Sequence, residues 1–487
     1  MLTKDAAIAA NRFGLGARPG DARAIGSDAK GWLLEQLAHA PSKAPAGAPE
    51  SARVLAEVRD LRVARQIAQR ARANLVRAPN SDAPPPAPGI DQQAIREFGA
   101  FVRERYVAQT AERHKLAIET ERPFVERLVH FWSNHFAVSA DKQPLAALAG
   151  LYEQEAIRPH VTGNFYDLLL AVERHPAMIL YLDNEASMGP SSQAARAARV
   201  VRRNGGPELG LNENLGREIL ELHTLGVDGG YTQADVTEFA KVLTGWSIGG
   251  GLGEGRPLLA RLGGDAGAPG EFHFRAPMHE PGDKMILGKR YRERGVDEGE
   301  DVLRTLALHP KTARHLATKL ARHFVADDPP ATLVGRMADA YSKSEGELTS
   351  VYRVLIEADE SWREPLAKLK TPHDFVISAY RLLGSRPDNL QPITAFLTEA
   401  GQRPYAPGSP AGWPDTAASW NGGDALLKRI ELATAVGRRV GSSIDPSARA
   451  GEVLGALGEH TAMSIRGAES GAQAFALLLA SPEFQRR

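Results

Sequence analysis

Two ionisable residues stand within apolar stripes of predicted helices, and these positions are where the sequence could carry chemistry. In the segment 124–136 (FVERLVHFWSNHF), a helical projection at about 100° per residue places His135 among aromatic and aliphatic side chains. A buried imidazole needs a hydrogen-bond partner or a metal ion. His130 and Asn134 fall on the opposite, polar side of the helix. His135 is therefore a candidate metal ligand or general base, with a satisfied core histidine as the competing interpretation.

A second predicted helix, at 212–225, supplies candidate partners. Its projection places Glu218 between two leucines and His223 within the apolar half, whereas Arg217 lies on the exposed side beside Glu221, in position for an ion pair. An unpaired carboxylate is unfavourable inside an apolar stripe, so Glu218 should meet a cation, a histidine or a metal. Arg217 is a candidate for holding an anion.

Facing helices that carry His135 and Glu218 would form half of a carboxylate–imidazole metal site, as in helical bundles. The polar loop FHFRAPMHEPGDK offers His279 and Asp283, which could complete an open site, although a solvated turn explains them equally well. His223 lies about 140° round the helix from Glu218, so these two should not share an ion. A hydrogen-bonded cluster that only fixes helix register is the structural alternative.

The segment KTARHLATKLARHF, at 311–324, contains His315 and His323. Its leucines form a core stripe, and Arg314, Lys319 and Arg322 form a basic face that we expect to be solvated.

Composition excludes several functional classes. The chain has 487 residues, with 59 Lys plus Arg against 59 Asp plus Glu, so no overall positive field favours nucleic acid as the main partner. It has no cysteine, which excludes disulfides and thiolate-ligated metals. The first residues lack the apolar region of a secretory signal and no segment is apolar enough to span a membrane, which predicts a cytoplasmic location. Export with a signal-bearing partner stays open.

Apolar residues recur at spacings of three and four through most of the chain, which predicts a mostly α protein with one large multi-helix globular domain. We expect an N-terminal helical hairpin within 1–77, a Pro-rich linker or loop at 78–90, and a main helical domain at 91–487. A Gly-rich loop is predicted at 248–274, and a short β-hairpin at 285–291 is the one β element expected. Helices are predicted near 20–39, 50–77, 91–121, 123–137, 143–157, 162–174, 212–225, 233–246, 296–308, 310–325, 330–343, 347–358, 372–384, 390–401, 423–438 and 470–480.

Two Gly-containing segments resemble binding loops but have simpler interpretations. Gly14 to Gly20 has the wrong spacing and context for a dinucleotide loop, and a helix end followed by a turn explains it. The segment 228–235 lacks the upstream acidic residues of a calcium loop. There, Thr232 and Asp235 predict a capping box that opens the next helix.

Four segments together resemble a large bacterial family known as domain of unknown function 1800. They are NRFGLGARPGD at 11–21, the FW-x-x-HF motif at 131–136, the block NENLGREILELHTLGVDGGYTQADVTEFAKVLTGW at 212–246, and KTARHLATKLARHFVADDPP with the closing LLASPEFQ. The resemblance implies a mostly helical fold and, because the family's genes often adjoin those of a sulfatase-like uncharacterised family, a protein partner of that kind. It also implies a further histidine where this chain has Ser133.

These observations lead to two functional hypotheses. The first is a soluble helical enzyme, an oxidoreductase or hydrolase that could use a divalent transition metal. Its catalytic groups would be His135, Glu218, Arg217 and His223, and its metal ligands His135, Glu218, His279 and Asp283. The second is a non-catalytic binding or assembly protein that docks the sulfatase-like partner through the Ala- and Arg-rich segment 193–203.

Overall fold

The protein is mostly helical, as its periodicity predicts. The computed structural model describes residues 2–38, 50–77, 90–201, 210–250, 267–364, 366–384, 387–441 and 443–487. Its α-helices, numbered along the chain, are α1 Lys4–Ile8, α2 Asp21–Ile25, α3 Ala29–Ala38, α4 Glu50–Arg77, α5 Ile90–Glu119, α6 Pro123–His135, α7 Ala149–Tyr152, α8 Phe165–Arg174, α9 Pro176–Tyr181, α10 Gln193–Val201, α11 Asn214–Glu218, α12 Gln233–Leu243, α13 Val296–Ala307, α14 Pro310–Phe324, α15 Ala331–Lys343, α16 Leu348–Glu357, α17 Pro372–Leu383, α18 Gln391–Glu399, α19 Gly423–Val440, α20 Pro446–Val453, α21 Glu459–Arg466, α22 Gly471–Ala480 and α23 Pro482–Gln485.

Strong amphipathic patterns and local capping explain why most long helices begin and end near their predicted bounds. Helix α14 begins at Pro310, and the His309 side chain caps it by accepting from the Lys311 backbone N–H. Helix α12 begins with the predicted capping box, in which the side chains of Thr232 and Asp235 satisfy each other's backbone N–H groups. None of the described helices combines the length and hydropathy that a membrane crossing needs.

Three predicted helices are divided in the structure. The one expected at 20–39 is split into α2 and α3. The one at 143–157 consists of a 3-10 turn, α7 and a π-helical turn at Glu153–Ile157. The one at 212–225 changes after α11 to a π-helical turn at Ile219–His223. Since a π turn is wider than an α turn, a projection at 100° per residue loses its phase beyond Glu218.

Two small antiparallel hairpins supply the strands. The predicted hairpin forms from β3 (Lys284–Ile286) and β4 (Lys289–Tyr291). The other pairs β1 (Trp246–Ile248) with β2 (Phe272–Phe274), so the expectation of a loop throughout 248–274 is wrong at both ends. Strands of three residues joined across a long interval leave almost no periodic signal. The middle of the predicted loop, 251–266, lies outside the described residues.

Helix α6 runs through the core and joins distant parts of the chain. The rings of Phe13, Phe124 and Phe324 meet with centroid separations of 5.6–5.9 Å, which brings the N-terminal segment against α6 and α14. In the same helix, Trp132 Nε1 donates to the Tyr352 hydroxyl at 2.7 Å. Buried side chains from both sides of the Pro-rich segment therefore belong to one core. The division of the chain at 78–90 stays a prediction, since 78–89 lie outside the described residues.

Candidate functional site

The structure places His135 in the core, as its position on the helix predicts. The residue is 1% exposed, and its Nε2 lies 3.2 Å from the backbone carbonyl oxygen of His223. Its Nδ1 is buried without a hydrogen-bond partner among the described residues. Burial, assisted by the positive charge of Lys319, lowers the pKa of His135 well below its ordinary value, which keeps the imidazole neutral.

Glu218 does not pair with His135. The described residues show no hydrogen bond or ion pair between the two side chains. Glu218 is half-buried, and desolvation raises its pKa. Arg217 pairs with Glu213 at 3.0 Å and not with Glu221, which instead accepts from Tyr231. The described residues therefore show no direct pair of His135 and Glu218, although His223 interacts with both.

His223 finds a partner that the sequence did not suggest. Its Nδ1 lies 2.7 Å from Glu173 Oε1, and both side chains are almost fully buried. Glu173 belongs to α8, so only the tertiary fold brings it to the π-helical turn of His223. The carboxylate fixes which imidazole nitrogen carries the proton.

The loop residues proposed as metal ligands also have other partners. His279 Nε2 lies 3.3 Å from Glu298 Oε2, and its Nδ1 lies 2.9 Å from the Thr244 carbonyl oxygen. Asp283 pairs with Arg290 at 2.7 Å. Within the part of the chain that the structure describes, no three His, Asp or Glu side chains converge as metal ligands would. The predicted ligand set is thus dispersed among structural contacts.

A basic, histidine-rich cavity of about 360 Å³, which His135 helps to line, lies between α6, α14 and the start of α17. Two loops, at 402–405 and 411–416, close its other side. Its charged and polar lining includes Arg113, Arg127, His130, Asn134, His135, Lys319, Arg322, His323, His373, Asp374 and Asp415.

Two faces that the sequence assigned to solvent line this cavity. Helix α6 contributes His130 and Asn134 from its polar side, and α14 contributes Lys319 and Arg322 from its basic face. Only Arg314, of the three basic residues on that face, is exposed. The helical phase was correct, but a polar face turned towards an internal cavity has the same sequence pattern as one turned towards water.

His323 and Asp415 form a carboxylate–imidazole pair at the cavity. His323 Nδ1 lies 2.7 Å from Asp415 Oδ2, while its Nε2 is buried without a partner in any described segment. Burial lowers the pKa of His323 to about 4, against the opposing effect of Asp415, so the imidazole is neutral near pH 7. With Nδ1 donating to the carboxylate, Nε2 has a free lone pair and can act as a general base.

Buried cations hold the two cavity carboxylates ionised. Arg487 Nε lies 2.7 Å from Asp374 Oδ2, and its Nη2 lies 3.5 Å from Asp415 Oδ1. Arg127 adds a contact of 3.1 Å to Asp374, and Lys368 one of 3.6 Å to Asp415. Although burial opposes ionisation, these cations and the neighbouring histidines lower the pKa of both carboxyl groups below the ordinary range.

The loop that carries Asp415 is attached to α6 through its backbone. The Asn134 side chain accepts from the Trp413 N–H at 2.7 Å and donates to the Trp413 carbonyl at 2.9 Å. The preceding residue, Gly412, has φ +79°, and a Cβ there would lie 2.3 Å from the Asn134 carbonyl oxygen. Glycine at 412 therefore permits the close approach that positions Asp415.

Two cavity cations form no ion pair among the described residues, although the negative charge of Asp415 acts on Lys319 from beyond ion-pair distance. Neither Lys319 nor Arg322 forms an ion pair with any described residue, and the Arg322 Nε donates to the Asp327 backbone carbonyl at 3.1 Å. Burial lowers the pKa of Lys319 to about 8, so it remains largely protonated near pH 7. Such a pair of cations is suited to an anion.

The sequence interpretation missed Asp415, His373 and Arg113 altogether. His323 was noticed, but nothing local linked it to a carboxylate 92 residues away. A usable signal was the segment GWPD at 412–415, in which a glycine, a tryptophan and an acidic residue lie between predicted helices. Conspicuous loop residues of this kind often position functional groups.

Comparison with protein families assigns the chain to one of them. The family described as a protein of unknown function (DUF1800) matches residues 8–486, nearly the whole chain. Comparisons with curated proteins and with solved structures give no match. The matched range includes every residue that lines the cavity. The chain therefore belongs to the DUF1800 family.

Proposed function

We propose that the protein is a hydrolase that binds a small anionic substrate in the basic cavity, with His323 as the general base. The observation that carries this proposal is the His323–Asp415 pair, whose separation is 2.7 Å and whose Nε2 has no partner in the described structure. A base held in one tautomer beside cations that form no ion pair is suited to proton transfer at a bound anion.

The cations support the anionic character of the substrate. Lys319 and Arg322 lie one turn apart on α14, and both line the cavity. Asp374 and Asp415 form ion pairs with Arg127, Arg487 and Lys368 and with neither of these two cations, so the negative charge of Asp415 compensates Lys319 only in part. A phosphate, sulfate or carboxylate group would supply the missing negative charge.

The reaction uses water as the nucleophile. His323 Nε2 accepts a proton from a water molecule as the water oxygen bonds to the carbon or phosphorus of an ester. The bond to the leaving oxygen then breaks, and that oxygen takes up the proton that His323 received. Lys319 and Arg322 stabilise the negative charge that grows on the substrate.

Hydrolysis of charged 4-nitrophenyl esters tests the proposal. We would measure release of 4-nitrophenol from 4-nitrophenyl phosphate and 4-nitrophenyl succinate by the wild type and by His323→Gln, Lys319→Met and Arg314→Gln. His323→Gln should lower kcat by about 100-fold or more with little change in KM. Lys319→Met should raise KM and also lower kcat, since it removes a charge that binds the anion and stabilises the negative charge that grows during the reaction.

The exposed Arg314 provides a matched control on the same helix. Arg314→Gln should leave kcat and KM at wild-type values. The assignment of His323 would be contradicted if all three variants lost hydrolytic activity equally, or if His323→Gln hydrolysed the esters as fast as the wild type. Circular dichroism of each variant would verify that the helices are intact.

A binding or assembly role is the second candidate, favoured by exposed apolar residues on α19. Leu426, Leu427 and Ile430 are 41%, 53% and 52% exposed. A protein partner would cover such a surface, and the family resemblance suggests the sulfatase-like product of a neighbouring gene. Co-purification of that product with the wild type but not with Leu427→Glu, together with no hydrolysis, would favour this role.

A further inference from the structure

A second group of polar side chains, besides the His323–Asp415 pair, lines the cavity. It consists of His373, in the first turn of α17, and His130, on α6, whose ring centroids are 4.8 Å apart with the planes at 87°. Arg113, from α5, lines the cavity beside them. The two imidazoles thus come from helices that are far apart in sequence and meet only in the fold.

The hydrogen-bonding capacity of these two imidazoles is incompletely used. His373 Nε2 is buried and has no partner in the described residues, although its backbone N–H donates to Gln402 Oε1 at 2.8 Å. His130 Nε2 lies 3.4 Å from Glu126 Oε1. That carboxylate already accepts two hydrogen bonds from Arg158, at 2.6 and 2.8 Å. His130 Nδ1 makes no hydrogen bond to any described side chain or backbone group.

His130 and His373 offer neutral hydrogen-bonding atoms, in contrast to the charged Lys319 and Arg322. Burial lowers the pKa of His130 and of His373, so both rings are neutral near pH 7. Arg113 is engaged with Glu153 at 3.2 Å, which offsets its charge. A neutral imidazole donates one hydrogen bond and accepts one, and an alcohol hydroxyl, with one donor and two acceptor lone pairs, can pair with either nitrogen.

We propose that His130 and His373 form a second subsite that binds hydroxyl groups of the substrate. This inference rests on the proposed function, because the anion at Lys319 and Arg322 anchors the same molecule. The substrate class is then an anionic polyol, such as a phosphorylated or otherwise acidic sugar-like molecule. A ligand without hydroxyl groups leaves His373 Nε2 buried and without a hydrogen bond. Because an unpaired buried polar atom weakens binding, the site should discriminate strongly against ligands that lack the hydroxyl group.

The binding of three phosphate compounds distinguishes the anion site from the hydroxyl subsite. Dissociation constants for inorganic phosphate, propyl phosphate and glycerol 3-phosphate would be measured by calorimetry on the full chain. The last two compounds have the same number of carbon atoms and differ in two hydroxyl groups. We expect the wild type to bind glycerol 3-phosphate about 10-fold or more tightly than propyl phosphate.

Variants assign that preference to the subsite. His373→Leu should reduce the preference to about 3-fold or less while the constant for inorganic phosphate stays unchanged, and His130→Leu should act in the same direction. Lys319→Met should instead weaken binding of all three compounds. Having two subsite variants protects the test against misfolding of one of them.

The outcomes distinguish failure of this inference from failure of the proposed function. Binding of phosphate by the wild type without preference for glycerol 3-phosphate would overturn the hydroxyl subsite alone. Retention of the preference in both histidine variants would also overturn it. If the wild type did not bind inorganic phosphate, the proposed anion site would be wrong, and so would the proposed class of anionic polyol substrates.

Discussion

Two buried clusters of charge in this molecule differ in how completely their cations are paired. In the cluster beside β3, Lys284 is 2% exposed, lies 3.1 Å from Glu298 Oε2 and donates to the Glu280 carbonyl at 2.7 Å. In the cavity, Lys319 forms no ion pair with any described residue, and only the more distant charge of Asp415 acts on it. The first lysine is fully compensated by the protein, whereas the second is not.

The difference indicates which cluster is structural and which is a binding site. Removing one member of a paired, buried set leaves the other charge unsatisfied, so such sets maintain a fold. A cation without a counter-charge gains its partner only when a ligand arrives. The cluster of His279, which the sequence suggested as a site, belongs to the first kind, since His279 shares Glu298 with Lys284.

The largest expected effect comes from making the same substitution in both clusters. Lys284→Met should reduce the free energy of unfolding by about 3–5 kcal/mol, because it leaves the Glu298 charge buried with a weakened partner set. Lys319→Met should change that free energy by less than about 1 kcal/mol, or increase it, since an unpaired cation is removed. Urea unfolding measures the free energy of unfolding of both variants. Equal destabilisation by the two substitutions would contradict the distinction between a structural cluster and a binding site.

Acid should destabilise the protein through its buried histidines. Burial lowers the pKa of His323 and His315 to about 4 and that of His114 to about 3. In the unfolded chain a histidine has a pKa of about 6.5. Below about pH 6.5 the unfolded chain binds protons at these histidines and the folded chain does not, so the free energy of unfolding falls from about pH 6.5 towards pH 4. We expect a loss on the order of 1–3 kcal/mol for each histidine.

Unfolding at a series of pH values checks this dependence. His323→Gln should reduce the slope of stability against pH between 6.5 and 4. The exposed His460 serves as the control, and His460→Gln should leave the slope as it is. If the free energy of unfolding of the wild type were constant between about pH 6.5 and pH 4, these histidines would be protonated in the folded chain as readily as in the unfolded chain.

Anion binding should weaken in base, when Lys319 loses its charge. The pKa of Lys319 is lowered to about 8, so stabilisation by sulfate should begin to fall above that pH. At ten times its dissociation constant, sulfate should stabilise the wild type by about 1.4 kcal/mol near pH 7 and Lys319→Met much less. Sulfate keeps its charge throughout, and sodium chloride of equal ionic strength is the control. Stabilisation that persists unchanged to pH 9.5 would exclude Lys319 as the anchor.

The smallest effect is expected at Asp283. It pairs with the exposed Arg290 and accepts from the Glu293 backbone N–H, so it belongs to a surface network. Asp283→Asn should leave Tm and hydrolysis unchanged, because exposed pairs contribute little. A marked loss of activity would restore this loop as part of the site.

The helices that the sequence predicted well are those with long amphipathic repeats and clear caps. For α13, α14 and α16 the predicted and observed bounds differ by at most one residue at either end. The short helices α20 and α21 were missed because eight residues give barely two turns of periodic pattern. The strands β1 and β2 depend on a pairing across a long interval, which no local pattern encodes.

For the candidate site, burial was easier to predict than partnership. His135 is buried as predicted, yet its Nε2 contacts a backbone carbonyl and not Glu218. A helical projection gives the direction of a side chain but not what lies opposite it. The polar faces of α6 and α14 show the same limit, since the cavity between them forms only when Asp415 and His373 arrive from distant segments.

The close approach between Gly412 and α6 bears on how this family can vary. Any side chain at 412 would collide with the Asn134 backbone carbonyl oxygen, while the Asn134 side chain binds both the backbone N–H and the backbone carbonyl of Trp413. Neither position can change freely while the other is retained. In homologues we therefore expect positions 134 and 412 to be inherited together, and a lineage that has lost one should also have rebuilt the loop that presents Asp415.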